Sequence, residues 1–495
     1  MFLCSRVKPA GIGKHRNGNG YVFCRGLAGR HFARQPTLSA PRRDGLEQHS
    51  IGSSVPRPAS FAREHTLRGN ASQYLKQDMS SDTLRRLAPF TSWLDDRSED
   101  GLDPYCKYTD GEIGPFIRAY GRNGELFEGI NFASQDYLNL STHPAVRQAA
   151  IDAIGQYGVH SAGSAALMGN TKASVELERE LCRFLGYEDC TLFTTGWGAG
   201  YGVVRTLVRE NDHVIIDLLA HACLMEGARN ATRNVHAHPH LSVDGVERRL
   251  RKIRSEHPAA GIVVVTESTF SMDSDVPDMR ALQGLCTRFS ATLIVDCAHD
   301  LGALGYSGLG YVEAQGMVGA FDVVMGSLSK TFASNGGFIA TNRRELKLAL
   351  RLNCGPSTFT NAMSPVSAKV VAKCLDIVKS PEGSARRRQL MRNIEHLRAR
   401  LTAEGFEVLG QPSAIVPVVL GGDAISRVMT RYVLRNGAIV NLVEFPAVAR
   451  NKCRWRLQVM AEHTAEQIER FIEIAVAART HSAGVLSRMK ATTDG

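Results

Sequence analysis

The sequence predicts an α/β fold: a large, doubly wound, mostly parallel sheet domain followed by a smaller C-terminal α+β domain. Three observations predict it. From about residue 126 onward short apolar runs alternate with amphipathic stretches, the pattern of strand–helix–strand units. The runs at 190–194, 213–217, 261–267, 291–296 and 321–326 are nearly continuous in Val, Ile and Leu, as parallel strands covered on both faces require. Each run ends on polar residues, and open α/β sheets bind their ligands at the carboxyl ends of the strands.

Taken in order, residues 1–78 form a basic segment, rich in Gly, Arg, Ser and Pro and without apolar period, so disorder is expected. The net charge of +10 belongs to it: residues 1–76 carry 13 Lys and Arg against three acidic residues, and the remainder is balanced. A basic tail on a neutral body argues against a nucleic-acid partner for that body. Met79, ahead of a helix-like 80–84, is a plausible alternative start, and 79–125 is expected to hold a helix and a dimer-contact segment. No run approaches the ~20 apolar residues of a membrane-spanning helix.

The large domain is assigned to 126–385. Between its strands lie helical patterns such as 175–185, where Leu177, Leu181, Phe184 and Leu185 share one face. Residues 366–403 are helix-rich. The small domain, 386–495, has strands near 414–420 and 455–460 and helices near 424–436 and 465–480. Eleven cysteines stand singly with no Cys-x-x-Cys, which reads as a reduced, cytoplasmic protein without structural zinc, and no metal site is expected.

The strand ends supply the chemistry: Gly196-Trp197, Asp217 with His221, Glu267-Ser268, Asp296 with His299, and Ser327-Leu328-Ser329-Lys330. A single Lys or Asp at such a place is ordinary loop chemistry. One set per strand is not.

Gly326-Ser327-Leu328-Ser329-Lys330 followed by Gly336-Gly337, with Asp296-Cys297-Ala298-His299 and Phe270-Ser271-Met272-Asp273 before it, resembles the α-oxoamine synthases. These are fold-type-I pyridoxal-phosphate (PLP) enzymes that condense an amino acid with an acyl-CoA and lose carbon dioxide. The resemblance covers about 131–463. It implies that Lys330 carries the cofactor as a Schiff base and then serves as the base at Cα. Asp296 is implied to pair with the pyridinium nitrogen, His299 to reach the phenolic oxygen, and His221 to stack on the ring.

Gly196, Trp197, Ser268 and Ser327 fall to the cofactor shell, the first two because a helix start suits a dianionic phosphate. Thr360 corresponds to the residue that family dimers lend to the neighbouring subunit's phosphate, so a homodimer with shared sites is implied. Arg456, seven residues before His463, corresponds to the arginine that grips the amino-acid carboxylate as a fork.

Three positions depart from the family pattern. Gln135 stands where Asn is common, Ala165 where Arg is common, and Cys297 where Glu is usual. They bear on substrate choice, which makes Gln135 a substrate-binding candidate. Within the family, the runs 216–221 and 226–229 look most like bacterial synthases of α-aminoketone quorum-sensing signals. Val440-Asn441-Leu442 and Ala461-Glu462-His463-Thr464 look instead like serine palmitoyltransferase, and a serine palmitoyltransferase-like or 8-amino-7-oxononanoate synthase-like acyltransferase is the alternative. A catalytically silent partner subunit, the non-enzyme alternative, would lack Lys330.

Overall fold

The computed structural model describes residues 62–493. The first strands, β1 (Phe116–Tyr120) and β2 (Leu126–Asn131), form an antiparallel hairpin that the two-residue β12 (Ala438–Ile439) joins in parallel. This hairpin, which includes the start of the region assigned to the large domain, therefore shares a sheet with the C-terminal part of the chain and not with the large sheet.

Among the described residues seven strands build that large sheet: β3 (Asp189–Phe193), β4 (His213–Asp217), β5 (Val235–His238), β6 (Ile262–Glu267), β7 (Thr292–Asp296), β8 (Val323–Ser327) and β9 (Gly337–Thr341). Their spatial order is β3-β9-β8-β7-β6-β4-β5. All five predicted runs are strands, with ends within two residues of those expected. Neighbours from β8 to β5 are parallel, whereas β9 runs antiparallel to both β8 and β3. Strand β3, expected to pair in parallel, thus pairs only antiparallel and still points the same way as the rest. Two reversals cancel, and the carboxyl ends of β3, β4, β6, β7 and β8 share one edge.

The apolar runs alternate between two cores. Ile215, Val264, Leu293 and Val295 pack with one helical layer, while Val214, Ile216, Val263, Val265 and Ile294 pack with the other. The helix Lys172–Leu185 shows how the layers form. Thr171 and Ser174 close a capping box at its start, Gly186 turns left-handed at φ 77° past its end, and Leu177, Leu181 and Leu185 bury one face. Each buried leucine contributes roughly 1.5–3 kcal/mol.

The small domain is a second sheet of β10 (Glu407–Val408), β11 (Ile415–Gly421), β13 (Leu442–Val443) and β14 (Cys453–Gln458), ordered β10-β11-β14-β13 and antiparallel throughout. Helices Pro381–Ala403, Asp423–Arg435 and Ala465–Thr493 accompany it, and Trp455 is fully buried beside Phe406 and Phe471.

The N-terminal expectation needs correction. Residues 1–61 lie outside the described ones, but 62–78 are not without structure: helices Glu64–Arg68 and Ala71–Leu75 dock on the small domain. Arg427 donates to the carbonyls of Thr66 at 2.8 Å and Gly69 at 2.7 Å, and Arg63 pairs with Asp96 and Asp100. The expected helix at 80–84 is a turn; a short 3-10 helix at Arg85–Leu87 leads instead into the helix Ala88–Glu99. That helix supplies Arg97, whose guanidinium meets Glu444 at 3.2 Å; Arg427 reaches the same carboxylate at 2.5 Å and Tyr105 bonds it.

Candidate active site

The shared strand edge carries the predicted residues. After β3, Thr195 caps the helix Gly196–Leu207 by accepting from the N–H of Gly198 at 2.9 Å, which starts that helix at the carboxyl end of the strand. Gly196 fits against Ser327 so closely that a Cβ there would stand 2.8 Å from the serine Cβ. Ser327 and Ser329 share a hydroxyl hydrogen bond of 2.8 Å. Two serine hydroxyls and a helix start around a glycine make a cradle for an oxyanion.

Asp217 ends β4 and organises the turn behind it, accepting from the N–H of Leu219 and of Leu241, each at 2.9 Å. The turn delivers His221, whose own N–H donates to Glu267 at 2.6 Å. Its Nδ1 accepts from the N–H of Cys223, which assigns the proton of the neutral ring to Nε2. Burial lowers the His221 pKa, although the Asp296 charge opposes the shift. Trp197, half-exposed, stands edge-on to the His221 ring at 5.9 Å.

Asp296 ends β7 and accepts from the N–H of Ala298 at 2.9 Å. Burial raises its pKa, and the charges of His221 and Lys330 offset that only in part. His299 is buried, held far below its usual range by burial and by the nearby Lys330 and Arg456 charges. Its Nδ1 lies 3.1 Å from the Tyr137 hydroxyl. Lys330 follows β8; burial and the Arg456 charge lower its pKa against the pull of Asp296 and Glu267. A buried amine depressed in this way gives up its proton more readily than a free lysine, as a nucleophile and base must. Its Nζ has no hydrogen-bond partner among the described residues.

Arg456 reaches the same neighbourhood from β14. Its Nε donates to the carbonyl of Ser271 at 2.5 Å, and its charge acts on Lys330, His221, His299 and Tyr137. Arg454, two residues earlier, is paired with Asp273. The two terminal nitrogens of Arg456 have no hydrogen-bond partner among the described residues.

Ser268 is fully buried next to Asp296, its N–H donating to the Asp296 carbonyl at 2.8 Å and its hydroxyl to Asp300 at 2.7 Å. Two candidates stand apart. Gln135 is half-buried in the loop after β2. Thr360 is exposed beside Phe359, itself 80% exposed, and next to Asn361, which bonds His160 at 3.1 Å. Sequence reasoning missed Tyr137, two residues after Gln135, which orients His299, and it named Glu267 as a strand end without the role of holding His221; only their hydrogen bonds mark these roles.

The residues fit pyridoxal phosphate. A depressed lysine, a buried carboxylate with one backbone donor, two neutral imidazoles and an oxyanion cradle behind a glycine that tolerates no Cβ match the aldehyde, ring nitrogen, ring face and phosphate in turn.

Residues 128–474 match the family model described as aminotransferase class I and II. The chain is 32% identical to 8-amino-7-oxononanoate synthase of Geobacter sulfurreducens over 375 residues, 76% of this chain and 93% of the relative. It is 30% identical to 2-amino-3-ketobutyrate coenzyme A ligase of Escherichia coli K12 over 344 residues, 70% and 86% of the two chains. The solved structure of serine palmitoyltransferase from S. paucimobilis, with bound PLP, superposes with a TM-score of 0.76 at 27% identity, covering 81% of this chain and 99% of the other.

Proposed function

Because the chain belongs to the α-oxoamine synthase family, PLP-dependent acyltransferases of fold type I, we propose that this site joins an amino acid to a medium- or long-chain acyl-CoA, releasing CoA, carbon dioxide and an α-aminoketone. The observation that carries it is the buried, depressed Lys330 amine set between Asp296 and Arg456.

Bound PLP supplies an electron sink conjugated to the amino-acid Cα. Lys330 would hold that cofactor through its Nζ, and the same amine, once free, would be the base that receives the Cα proton. Asp296, as a carboxylate, would accept a hydrogen bond from the protonated ring nitrogen and keep the proton on that nitrogen, the positive charge drawing the carboxyl back from its burial-raised range. His221 covers one ring face and excludes water from it. His299, set by Tyr137, donates at the phenolic oxygen. Gly196, Trp197 and Ser327 hold the phosphate, and Arg456 takes the carboxylate through its free fork.

For the substrates, the reading is a signal-synthase-like specificity: a small apolar donor such as 2-aminobutyrate, or S-adenosylmethionine, for a quorum-sensing aminoketone. The sequence runs at 216–221 and 226–229 support it. The curated relatives and the serine palmitoyltransferase neighbour support the alternative acyltransferases to the same degree. A homodimer, cytoplasmic, in which Thr360 completes the partner's phosphate site, accounts for the exposed Phe359, Leu167 and Met168 around it.

The test is a panel of 2-aminobutyrate, S-adenosylmethionine, serine, alanine and glycine with acyl-CoA donors, following CoA and carbon dioxide release. Release with 2-aminobutyrate or S-adenosylmethionine above serine is expected. A strict serine preference overturns the signal-synthase reading, and no release with any pair overturns the reaction.

A further inference from the structure

Asp217 does more than shape its own turn. Its carboxylate also receives His240 Nδ1 at 2.9 Å, and the other ring nitrogen of His240 lies 3.1 Å from Asp275. Asp275 sits in the loop 268–278 after β6. That loop is tightly folded on itself: the N–H of Phe270 donates to the Asp275 carbonyl at 2.9 Å, and the N–H of Ser274 to the Phe270 carbonyl at 2.9 Å. Its Ser271 carbonyl is the acceptor that fixes Arg456, and Asp273 on the same loop pairs with Arg454. The Phe270 ring, itself buried, stands edge-on to His240 at 4.6 Å.

We propose that His240 is a positioning residue: a strut bonded at both nitrogens that locks the turn carrying His221 to the loop carrying Ser271, so that the ring-covering histidine and the carboxylate-binding arginine are held in one fixed relation. The inference rests on the assignment of Arg456 to the amino-acid carboxylate.

Both ring nitrogens face carboxylates, so both must donate and the strut is an imidazolium. Burial works against that charge, but Asp217 and Asp275 outweigh it and raise the pKa to about 9. The other charged or titratable groups facing it are Asp273, neutralised by Arg454, and His238 on β5, held low by burial. His240, Asp273 and Asp275 have the donor types of a cation site, but the histidine nitrogens and Asp273 are already committed. From beneath, Glu267 ties the same two segments, accepting from the backbone N–H of His221 and of Ser271. Glu267 ties the two segments at His221 and Ser271 and His240 ties them a second time at Asp217 and Asp275, so removing His240 loosens their relation without detaching either segment.

The experiment compares holoenzymes of wild type, His240→Leu, His240→Gln, Asp275→Ala and Arg456→Lys by steady-state kinetics, varying the amino acid and the acyl-CoA separately. His240→Leu is expected to raise KM for the amino acid about tenfold, the loss of a charge-assisted hydrogen bond at the arginine's support, with cofactor occupancy kept and KM for acyl-CoA changed by less than about twofold. His240→Gln, which can still donate to one carboxylate, should fall between. The wild type should show an extra rise in amino-acid KM above about pH 9 as the imidazolium is lost, and His240→Leu should lack it. Asp275→Ala, on the partly exposed arm, reproduces the KM effect if His240→Leu fails to fold. An unchanged amino-acid KM in the His240 and Asp275 variants, or a uniform loss of cofactor and of both substrates, overturns the strut. If Arg456→Lys also leaves amino-acid KM unchanged, the carboxylate assignment has failed instead.

Discussion

Two buried carboxylates behave oppositely. Asp296, at the strand edge, has one backbone donor, and burial pushes its pKa up despite the charges of His221 and Lys330. Glu444, where the N-terminal helices dock on the small domain, is just as hidden, yet Arg97, Arg427 and Tyr105 draw it below its ordinary value against burial. The difference separates function from structure. At the strand edge ionisable groups are gathered and left under-satisfied, which is what a site awaiting a charged cofactor and substrate requires. At the N-terminal docking surface Glu444, Arg97 and Arg427 answer one another within the protein.

The largest effect that sharpens this comparison is at Lys330. Lys330→Ala should lower turnover by at least about 10⁴ and abolish the visible absorbance of bound cofactor, while leaving the unfolding midpoint near that of the cofactor-free wild type. Retained absorbance after dialysis would show that Lys330 is not the tether.

At the docking surface the expectation reverses. Glu444→Ala strands two buried guanidinium groups and should cost about 3–5 kcal/mol of stability in denaturant unfolding, with little change in cofactor affinity. Glu444→Gln, which keeps the shape and one acceptor, should cost less. A loss of cofactor binding at native stability would erase the distinction between the two regions.

Truncation tests the same surface from the other side. Removing residues 1–61 should leave stability unchanged, whereas removing 1–76 takes the Thr66 and Gly69 carbonyls from Arg427 and Arg63 from Asp100, at a cost of about 3 kcal/mol or more. Equal stability of the two truncations would mean that the short helices contribute nothing.

This contrast also explains what the sequence reveals. The strands are legible because Val263–Val265 or Leu293–Val295 must be apolar on both faces, and the site is legible because each run ends on the residue that the chemistry needs. Strand β9 is hidden behind Gly336-Gly337, which reads as a turn, and β5 is a four-residue edge strand carrying two histidines. The docking of 62–78 is invisible for another reason. Its helices are five residues each, too short to stand alone, and exist because of an arginine about 360 positions away. His240 is illegible in the same way, since its partners Asp217 and Asp275 are 23 and 35 residues off and only the fold brings them to its two nitrogens.

The smallest effect lies on the seam between the regions, at His463. Its Nδ1 accepts from the N–H of Met460 at 3.0 Å and its Nε2 lies 3.1 Å from the carbonyl of Asn131, at the end of β2, so the ring joins the N-terminal hairpin to the small domain. Nδ1 accepts, so the neutral ring carries its proton on Nε2 and donates it to Asn131. Burial against Phe132 holds its pKa at about 4. A histidine depressed in the folded state stabilises fully above its unfolded pKa of ~6.5, and that stability drains away as pH falls toward the folded value, because only the unfolded chain takes the proton. Between roughly pH 7.5 and pH 5 the loss should be about 2 kcal/mol from this group alone. His463→Gln removes the titration while keeping groups able to accept and donate. Its absolute stability will be lower, but its fall in stability over that pH range should be shallower than that of the wild type by about this amount. Parallel pH dependences for the two proteins in urea unfolding would mean that His463 is already protonated at neutral pH, and that the seam is held by a charge and not by a neutral ring.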